Sequence, residues 1–425
     1  MMKSSGTCGL LVALAAGAAL AASPVVSSVS LSQDPDTRLV TVEYTLSGGP
    51  AIVTLDVLTN GVSVGVENIV TTAGDVNRRV EAGENRCITW RPDYGWDGRL
   101  FDATAKLTAW PLNDPPDWLV ASVCLTSNVQ YYVCAEQSPW GVTNIMYKTR
   151  KILMRRIHAA GVPWNMGAPS CEPHINRDGT RETIHTVVLT NDFYIGVYEL
   201  TQAQYYYLMG ARKTGGNSNY GGDNATTAWF AYPQNWIGWE TLRGAAADYP
   251  WPGGHDVSPT SFLGYLRNRT GVEFDLPLDA QWEFAARGGC PYAFYNGYNM
   301  RSTSDSTADD SDAHFDEIGW FTGNSAVNGA VTTHPVGQKK PNAYGLYDML
   351  GNLSEACLDK YQASPTGYDP NTGLASDAVT IRCRRGGSAV NYKLHQCRVA
   401  YRDATSVDAT GRYDMGARLC WTLAK

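Results

Sequence analysis

Four short motifs in the C-terminal half of the chain constrain its fold more than any other feature. The longest spans residues 342–355 and reads Asn-Ala-Tyr-Gly-Leu-Tyr-Asp-Met-Leu-Gly-Asn-Leu-Ser-Glu. Residues 276–289 read Leu-Pro-Leu-Asp-Ala-Gln-Trp-Glu-Phe-Ala-Ala-Arg-Gly-Gly, residues 384–388 read Arg-Arg-Gly-Gly-Ser, and residues 397–402 read Cys-Arg-Val-Ala-Tyr-Arg. Their glycine pairs are typical of helix ends and tight turns, so the motifs predict loops that pack closely against a few short helices.

The composition is that of an exported globular protein with two or three domains. The 425 residues are 44% hydrophobic, which is enough for sizeable cores. The 34 Lys and Arg residues against 41 Asp and Glu residues give a net charge of −7, which excludes a general basic surface for nucleic acid. Only 18% of the residues are charged, while 42 Gly, 24 Tyr and 13 Trp favour a loop-rich extracellular domain over a helical cytoplasmic one.

Residues 1–22 are predicted to form a cleaved signal peptide. Lys3 supplies a positive charge, an apolar run from Gly9 to Ala19 follows, and small residues at the end of this run offer cleavage positions. The run is too short to be a clear membrane span, so no stable span is expected after cleavage; an uncleaved anchor is the alternative. The protein is therefore predicted to be exported to the cell surface, the extracellular space or the periplasm.

Cysteine usage favours a disulfide-bonded protein. Apart from Cys8, which precedes the apolar run, there are nine cysteines, and an odd number leaves at least one unpaired or paired between chains. Cys124 and Cys134 are close enough in sequence to clip one hairpin. The chain has no Cys-x-x-Cys pair, which excludes a zinc ribbon and a thioredoxin-type site. The nine are Cys87, Cys124, Cys134, Cys171, Cys290, Cys357, Cys383, Cys397 and Cys420.

The chain is predicted to divide at a stiff proline-rich linker, residues 111–117. Before it, residues 23–110 carry short apolar or alternating runs at 40–46 and 52–58, followed by a hairpin signal. This pattern predicts a small β-sandwich of the immunoglobulin or fibronectin kind, which would serve as a spacer or docking module. After the linker, residues 118–425 are predicted to form a second domain.

Three helices are predicted in the second domain. Thr201 and Gln204 form a capping box for the first helix, which ends at Gly210. Ser258 is predicted to cap the second helix, and the third spans about 279–287. The long aromatic loops between these helices need support from disulfides or bound metal.

The four motifs resemble those of the formylglycine-generating enzyme, or sulfatase-modifying factor, family, and the chain is identified as a divergent member. The resemblance covers about residues 150–425 and implies the C-type-lectin-like fold of that family. This is an α+β architecture with little regular secondary structure, here preceded by the small β-sandwich. Shorter matches occur at residues 154–157, 164–167, 185–189, 192–195, 198–202 and 334–337.

The resemblance also implies a calcium site in the longest motif. Family enzymes wrap a calcium ion with the positions that match Asp348, Gly351, Leu353 and Glu355 here. Carboxylate and carbonyl oxygens suit this ion, which takes about six to eight oxygen ligands, and the site would staple the loops. The alternative is that Asp348 caps a turn and Glu355 pairs with an arginine. The acidic segment 305–317 has no ligand spacing and is interpreted as a solvated surface.

Copper is not expected, because the matching ligands are missing. Family enzymes oxidise a substrate cysteine to formylglycine with copper held by two cysteines shortly after the Gly-Gly-Ser motif, since soft thiolates favour Cu(I). The matching positions here are Asn391 and Gln396. Ser388 matches the active-site serine of the family and Cys397 lies one position beyond the second copper ligand, so these two are the candidate catalytic residues. Cys397 is otherwise expected to form a disulfide with Cys357.

Other family positions have also changed. Ser354 and Ala356 replace two tryptophans of the family, and Leu278 replaces the threonine that caps the third helix. Asp279 is expected to take over that cap by shifting it one position.

These departures favour a non-catalytic protein whose C-terminal loops bind a protein or a small molecule. Residues 389–415 match the substrate groove of the family, and their tyrosine, asparagine and charged side chains suit recognition on a fixed scaffold. Retroelement-diversified variable proteins have a similar layout, and a nearby genomic copy of this coding segment that differs at adenines would indicate diversification. The predicted ligand-binding surface consists of Asn391, Tyr392, Lys393, His395, Asp403, Arg412, Tyr413 and Asp414.

Other functions fit the sequence less well. An active formylglycine-generating oxidase with a sulfatase as its partner accounts for the motifs and for export, but it needs another copper site. An iron-dependent sulfoxide synthase of the wider superfamily needs paired histidines, whereas the seven histidines here are scattered. A zinc hydrolase is unsupported, because the chain has no His-Glu-x-x-His segment.

Overall fold

The computed structural model describes most of the chain after the predicted signal peptide. The described residues are 23–94, 96, 98, 100, 102–125, 129–172, 179–213, 227–252, 254–300, 312–365, 370–371, 381–390, 393–407 and 411–424. The predicted signal peptide and the candidate surface residues Asn391 and Tyr392 lie outside them. Within the described part, every helix is too short or too polar to span a membrane.

Residues 25–110 form two antiparallel sheets around one apolar cluster. One sheet has the strand order β1-β2-β7-β5 and the other β4-β3-β6, with β8 paired to β3. Along β2, Val40, Val42, Tyr44 and Leu46 point inward and alternate with more exposed residues, which is the period of a half-buried strand. The strands are β1 Val25–Gln33, β2 Val40–Ser47, β3 Ala51–Thr59, β4 Val62–Ser63, β5 Thr72–Gly74, β6 Arg79–Val80, β7 Gly83–Trp90 and β8 Thr104–Trp110.

The proline-rich linker is bound to the second part of the chain along its length. The buried Arg156 donates to the carbonyl of Pro115 at 2.5 Å and pairs with Asp114 at 2.7 Å. The hydroxyl of Tyr194 donates to the carbonyl of Pro116. The backbone nitrogen of Tyr131 also donates to Asn77 of the first part at 2.7 Å. The linker is therefore held against the second part, and the Tyr131–Asn77 hydrogen bond joins the two parts directly.

The second part is built on two sheets. The first has the order β10-β9-β11-β14-β21 and the second β19-β18-β17-β20, in which β20 runs parallel to β17. Two small hairpins, β12 with β13 and β15 with β16, complete the strands. They are β9 Trp118–Ser122, β10 Val129–Tyr132, β11 Lys151–Ile157, β12 Pro163–Met166, β13 His185–Val188, β14 Phe193–Gly196, β15 Ala326–Val327, β16 Ala330–Val331, β17 Ser354–Lys360, β18 Ile381–Arg385, β19 Asp403–Ser406, β20 Met415–Gly416 and β21 Cys420–Thr422.

The helices are short and begin and end close to the predicted signals. Thr201 Oγ1 accepts the backbone N–H of Gln204 at 3.2 Å, and the side chain of Gln204 accepts the N–H of Thr201 at 3.0 Å, which confirms the capping box. The prediction of Ser258 as a cap was wrong, because Ser261 accepts the N–H of Gly264 instead. The helices are α1 Gln202–Met209, α2 Trp239–Arg243, α3 Phe262–Thr270, α4 Asp279–Arg287 and α5 Ala313–Asp316.

Helix α4 is buried along its whole length and carries charged residues that hold the second sheet. The expectation that Asp279 caps this helix was wrong. Its carboxylate binds Arg385 of β18 and Arg402, the latter at 2.7 Å. The N–H of Asp279 is instead accepted by the carboxylate of Asp359, which belongs to β17. An acceptor from a distant strand thus replaces the local cap.

The nine described cysteines are all free thiols, contrary to the disulfides expected from the sequence. Cys124 lies in the loop of the hairpin β9–β10, whereas Cys134 lies beyond its open end, so these two cannot clip it. Cys357 of β17 lies close to Cys383 of β18, and the two strands pair with each other. The predicted Cys357–Cys397 pair was therefore wrong, because strand pairing gives Cys357 another neighbour.

Candidate functional site

The Gly-Gly-Ser turn is the centre of the candidate site. Gly386 and Gly387 have φ values of 89° and 73°, a region that suits glycine. A Cβ atom on Gly387 would lie 2.5 Å from the sulfur of Cys397 and 2.8 Å from the carbonyl of Gln396. The second glycine is therefore required for the segment around Cys397 to approach the turn that carries Ser388.

The two candidate catalytic residues are brought together but are not accessible. Both Ser388 and Cys397 are fully buried. The hydroxyl of Ser388 accepts the N–H of Val390 at 3.1 Å. Burial raises the pKa of Cys397 to about 12, because a thiolate cannot be solvated there. At neutral pH this thiol is protonated, and neither residue has the properties of an activated nucleophile.

The position that matches the second copper ligand is occupied by an amide with local partners. Gln396 lies on a short helical turn, Leu394–Cys397. Its side-chain oxygen accepts the N–H of Lys393 at 3.0 Å and its nitrogen donates to the hydroxyl of Tyr401 at 3.1 Å. An amide that is hydrogen-bonded at both atoms is a poor ligand for a soft metal ion. Asn391, which matches the first copper ligand, lies outside the described residues.

Part of the predicted ligand-binding surface is exposed, and one residue is not. Lys393 and Arg412 are exposed, while His395, Asp403 and Tyr413 are partly buried. The inclusion of Asp414 was wrong, since it is fully buried. Its carboxylate pairs with the guanidinium groups of Arg412, at 2.8 Å, and Arg384, at 3.2 Å. Its backbone carbonyl accepts a hydrogen bond from the hydroxyl of Ser354.

Ion pairs bring several members of this surface together. Arg384 of β18 reaches Asp403 at 2.6 Å as well as Asp414, so one buried guanidinium joins β19 to the turn that precedes β20. The ring of Tyr413 lies 6.0 Å from that of Trp236, and the N–H of Trp236 donates to the carbonyl of Arg412 at 2.9 Å. Trp236 could not be identified as a member of the site from the sequence, because no motif links it to the C-terminal loops.

The predicted calcium loop has features of a cation site, but it also has the arginine pairing of Glu355 that was the alternative to calcium binding. Asp348 Oδ2 accepts the N–H of Gly337 at 2.6 Å, whereas its Oδ1 is buried without a hydrogen-bond partner. Glu355 pairs with Arg418 at 2.8 Å and accepts the indole N–H of Trp282 at 2.6 Å. Asp348 therefore fits a calcium ligand, while Glu355 already has two strong donors. Among the described residues there is no cluster of three or more side chains with metal-binding geometry.

A third carboxylate, which the sequence analysis missed, lies beside this loop. Glu199 is 1% exposed and accepts the side-chain N–H of Asn352 at 2.6 Å and the backbone N–H of Leu353 at 2.9 Å. Burial raises the pKa of Glu199 well above its usual value, and the charges of Asp348 and Glu355 raise it further. Glu199 lies in segment 198–202, which resembles the family. No sequence spacing predicts that its carboxylate binds Asn352 and Leu353, which are about 150 residues away. The excess of buried acid fits a bound cation at Asp348.

Comparisons with known proteins cover the second part of the chain. The family model of the sulfatase-modifying factor enzyme 1-like domain matches residues 154–423. The formylglycine-generating enzyme of Streptomyces coelicolor is 29% identical over 182 residues, which are 40% of this chain and 54% of that enzyme. The chaperone protein LppX of Paenibacillus barcinonensis is 27% identical over 256 residues, 55% of this chain and 81% of LppX. The inactive C-alpha-formylglycine-generating enzyme 2 of Bos taurus is 29% identical over 126 residues, 27% of this chain and 38% of that protein.

Two solved structures are similar to about two thirds of the chain. PvdO from Pseudomonas aeruginosa is 20% identical, with 64% of this chain and 94% of PvdO covered and a TM-score of 0.49. Treponema denticola variable protein 1 is 24% identical, with 64% of this chain and 95% of that protein covered and a TM-score of 0.45.

Proposed function

Because the chain belongs to the sulfatase-modifying factor family, we propose that it is a divergent member that binds a protein or small-molecule ligand through its C-terminal loops and lacks the family's oxidase activity. The observation that carries the proposal is the environment of Ser388. Gln396 stands where a copper ligand belongs, and the thiol of Cys397 is buried and protonated. Two soft sulfur donors are needed to hold Cu(I), and the described residues around this turn do not supply them.

The C-terminal loops supply what a recognition surface needs, which is a rigid base with varied side chains above it. Arg384 and Asp414 form a buried ion pair in these loops, and Lys393 and Arg412 are exposed. Tyr413 adds contact area with little loss of conformational entropy. Since its exposed members Lys393 and Arg412 are charged, the surface suits a polar partner. Export from the cytoplasm, predicted from residues 1–22, belongs to the same proposal.

The names of two relatives support a binding role. One is called a chaperone and another is called an inactive formylglycine-generating enzyme. Those descriptions apply to those proteins. For this chain they favour a member of the family that contacts other proteins without oxidising them.

A direct assay separates the binding scaffold from an active oxidase. The copper-loaded protein would be incubated with a peptide of the form Cys-x-Pro-x-Arg and the peptide thiol followed by mass spectrometry. We expect no loss of the thiol, because Gln396 cannot donate sulfur. The S. coelicolor enzyme is the positive control. Oxidation of the peptide thiol by this chain would instead establish the alternative function, an oxidase that acts on sulfatases. The serine at position 388, which matches the family's active-site serine, favours this alternative.

Restoring two cysteines at the positions of the missing copper ligands tests whether those positions have been assigned correctly. The double variant Asn391→Cys, Gln396→Cys is expected to retain about one equivalent of Cu(I) after gel filtration, since two thiolates suit this ion. The unchanged protein is expected to retain none. Equal copper content in both proteins would contradict the role assigned to these positions.

We also propose that Asp348 is a ligand in a structural calcium site, together with the carbonyl groups of Gly351 and Leu353. A ligand that binds only the folded state stabilises it by about 2.7 kcal/mol at a hundredfold excess over Kd. Calcium is therefore expected to raise the Tm relative to a chelator, and Asp348→Asn is expected to remove most of that rise. Glu317→Gln is the control, because Glu317 is exposed and is not assigned to the calcium loop, and it should keep the rise. A Tm that calcium does not change would end the proposal.

A further inference from the structure

A pocket separate from the Gly-Gly-Ser turn and from the C-terminal loops lies where the end of α4 meets the β12–β13 hairpin. Its volume is about 240 Å³, and its walls include Trp164, Ile184, Phe284, Arg287, Cys290 and Tyr344. This is slightly smaller than the roughly 300 Å³ at which drug-sized sites begin, so it suits a small ligand. None of the residues assigned to the ligand-binding surface or to the calcium loop lines it.

Three aromatic rings form the walls of the pocket. The rings of Trp164 and Phe284 meet edge to face, with centroids 5.4 Å apart and an interplanar angle of 77°. The rings of Phe284 and Tyr344 are nearly parallel at 6.3 Å and 19°. Phe284 is fixed by the buried helix α4, and Trp164 by the pairing of β12 with β13. Walls of this kind contact a planar aromatic ring at both its face and its edge.

Arg287 gives the pocket one positive group with a free donor. The residue is 6% exposed, and its Nε and Nη2 donate to Glu283 at 3.0 and 2.6 Å. Its Nη2 also donates to the carbonyl of Gly167, another lining residue, at 2.7 Å. Among the described residues, no acceptor binds its Nη1. Glu283 is shared with Arg385, so it neutralises Arg287 only in part.

Among the described residues that line the pocket, Arg287 is charged and none is acidic. The pocket therefore favours a negatively charged ligand. A cation would lie beside the positive guanidinium of Arg287, and Glu283, which pairs with that guanidinium, does not line the pocket. A carboxylate, in contrast, would accept a charge-assisted hydrogen bond from the free nitrogen. The combination of aromatic walls and one free guanidinium nitrogen therefore favours a flat, apolar body with an acidic end.

We propose that this pocket binds a small planar aromatic carboxylate, with its ring packed against the exposed surfaces of Trp164, Phe284 and Tyr344 and its carboxylate at Nη1 of Arg287. The site is independent of the function proposed for the C-terminal loops. Loss of one would leave the other unchanged.

Benzoate is a suitable probe, and benzamide is its uncharged counterpart of the same shape. Ligand-observed NMR titration of the full chain should give a Kd for benzoate on the order of 1 mM, as expected of a very small ligand. Benzamide should bind at least about tenfold more weakly, because it lacks the charge that Arg287 recognises. Equal affinities for the two compounds would contradict the assigned role of Arg287.

Variants of the walls locate the site. Trp164→Ala and Tyr344→Ala should each weaken benzoate binding about tenfold or more, because each removes one aromatic surface. Trp140→Ala is the matched control, since Trp140 is 60% exposed and does not line the pocket, and it should bind benzoate as the unchanged protein does. Circular dichroism confirms that each variant is folded. Undetectable benzoate binding to the unchanged protein, or unaltered binding to folded Trp164→Ala, would overturn the proposal.

Discussion

At the scale of single residues, buried arginines that bridge distant carboxylates are the main feature of the second part of the chain. Arg398 contacts Glu172 at 2.6 Å and Glu182 at 2.7 Å, more than 200 positions away in sequence. Arg418 pairs with Glu355 in the same way. A buried charge is tolerated only when it is paired and hydrogen-bonded, so each of these contacts fixes the relative position of two loops. Arginine is well suited to this role because its planar group presents several donors at once.

Asp359 should make stability depend on pH in a defined direction. Burial, and then the charge of Asp279, raises the pKa of Asp359 from 3.8 to about 7. Because the folded-state pKa is higher than the unfolded one, the folded state binds this proton more tightly. The contribution is complete below about pH 4 and is lost as the pH rises through about 7. Asp359→Asn keeps an acceptor for the N–H of Asp279 and removes the titration.

The measurement is Tm against pH for the two proteins. Between pH 5 and 8 the unchanged protein should lose at least about 2 °C relative to Asp359→Asn, since a titration of this size amounts to more than 1 kcal/mol. Other groups, such as His334, titrate in both proteins and cancel in the difference. Parallel curves for the two proteins over this range would contradict the assignment.

At the scale of elements, local signals were reliable where they could act alone. The capping box of α1 needs only residues three positions apart, and α4 ends at Gly288 with a φ of 54°, as its Gly-Gly pair predicts. The cap of α3 was placed three residues too early. Ser258 and Ser261 are both good caps, and the carbonyl of Ser258 instead accepts the N–H of Ser261 in a turn.

The capping box of α1 provides an element-scale prediction. The hydroxyl of Thr201 accepts the N–H of Gln204 and donates to the carbonyl of Lys148 at 2.9 Å, in a fully buried position. Thr201→Ala should lower the free energy of unfolding by about 1–2 kcal/mol, because a helix cap and a buried hydrogen bond are both lost. Thr201→Ser keeps the hydroxyl and should lose less than half of that in urea unfolding. Equal losses in the two variants would show that the methyl group, and not the cap, carries the effect.

At the scale of the whole molecule, the proline-rich linker is held against the second part of the chain. Its three prolines predict stiffness, and the contacts of Arg156 with Pro115, Asp114 and Asp192 add attachment. The hydrogen bond from the backbone N–H of Tyr131 to the carbonyl of Asn77 adds a direct contact between the two parts.

Removing the attachment should loosen the linker. Arg156→Ala is expected to lower the free energy of unfolding by roughly 2 kcal/mol, less than the 3–5 kcal/mol of a fully buried pair, because Asp114 is 63% exposed. Limited proteolysis should then cut within residues 111–117 faster than in the unchanged protein. The control is Lys340→Ala, whose ion pair with Glu317 is exposed and should contribute less than about 1 kcal/mol. Unchanged cleavage of folded Arg156→Ala would contradict the role of this residue.

The family, and the helices signalled by capping residues and glycines, could be recognised from the amino-acid sequence. Each of these depends on residue type and local spacing, which are present in the chain before it folds. Only the tertiary structure decided that Asp359 caps α4, that Asp414 is buried beneath the candidate surface, and that Cys357 lies beside Cys383 instead of Cys397. These depend on which distant segments pack together, and a buried charge or thiol takes whichever partner that packing brings to it.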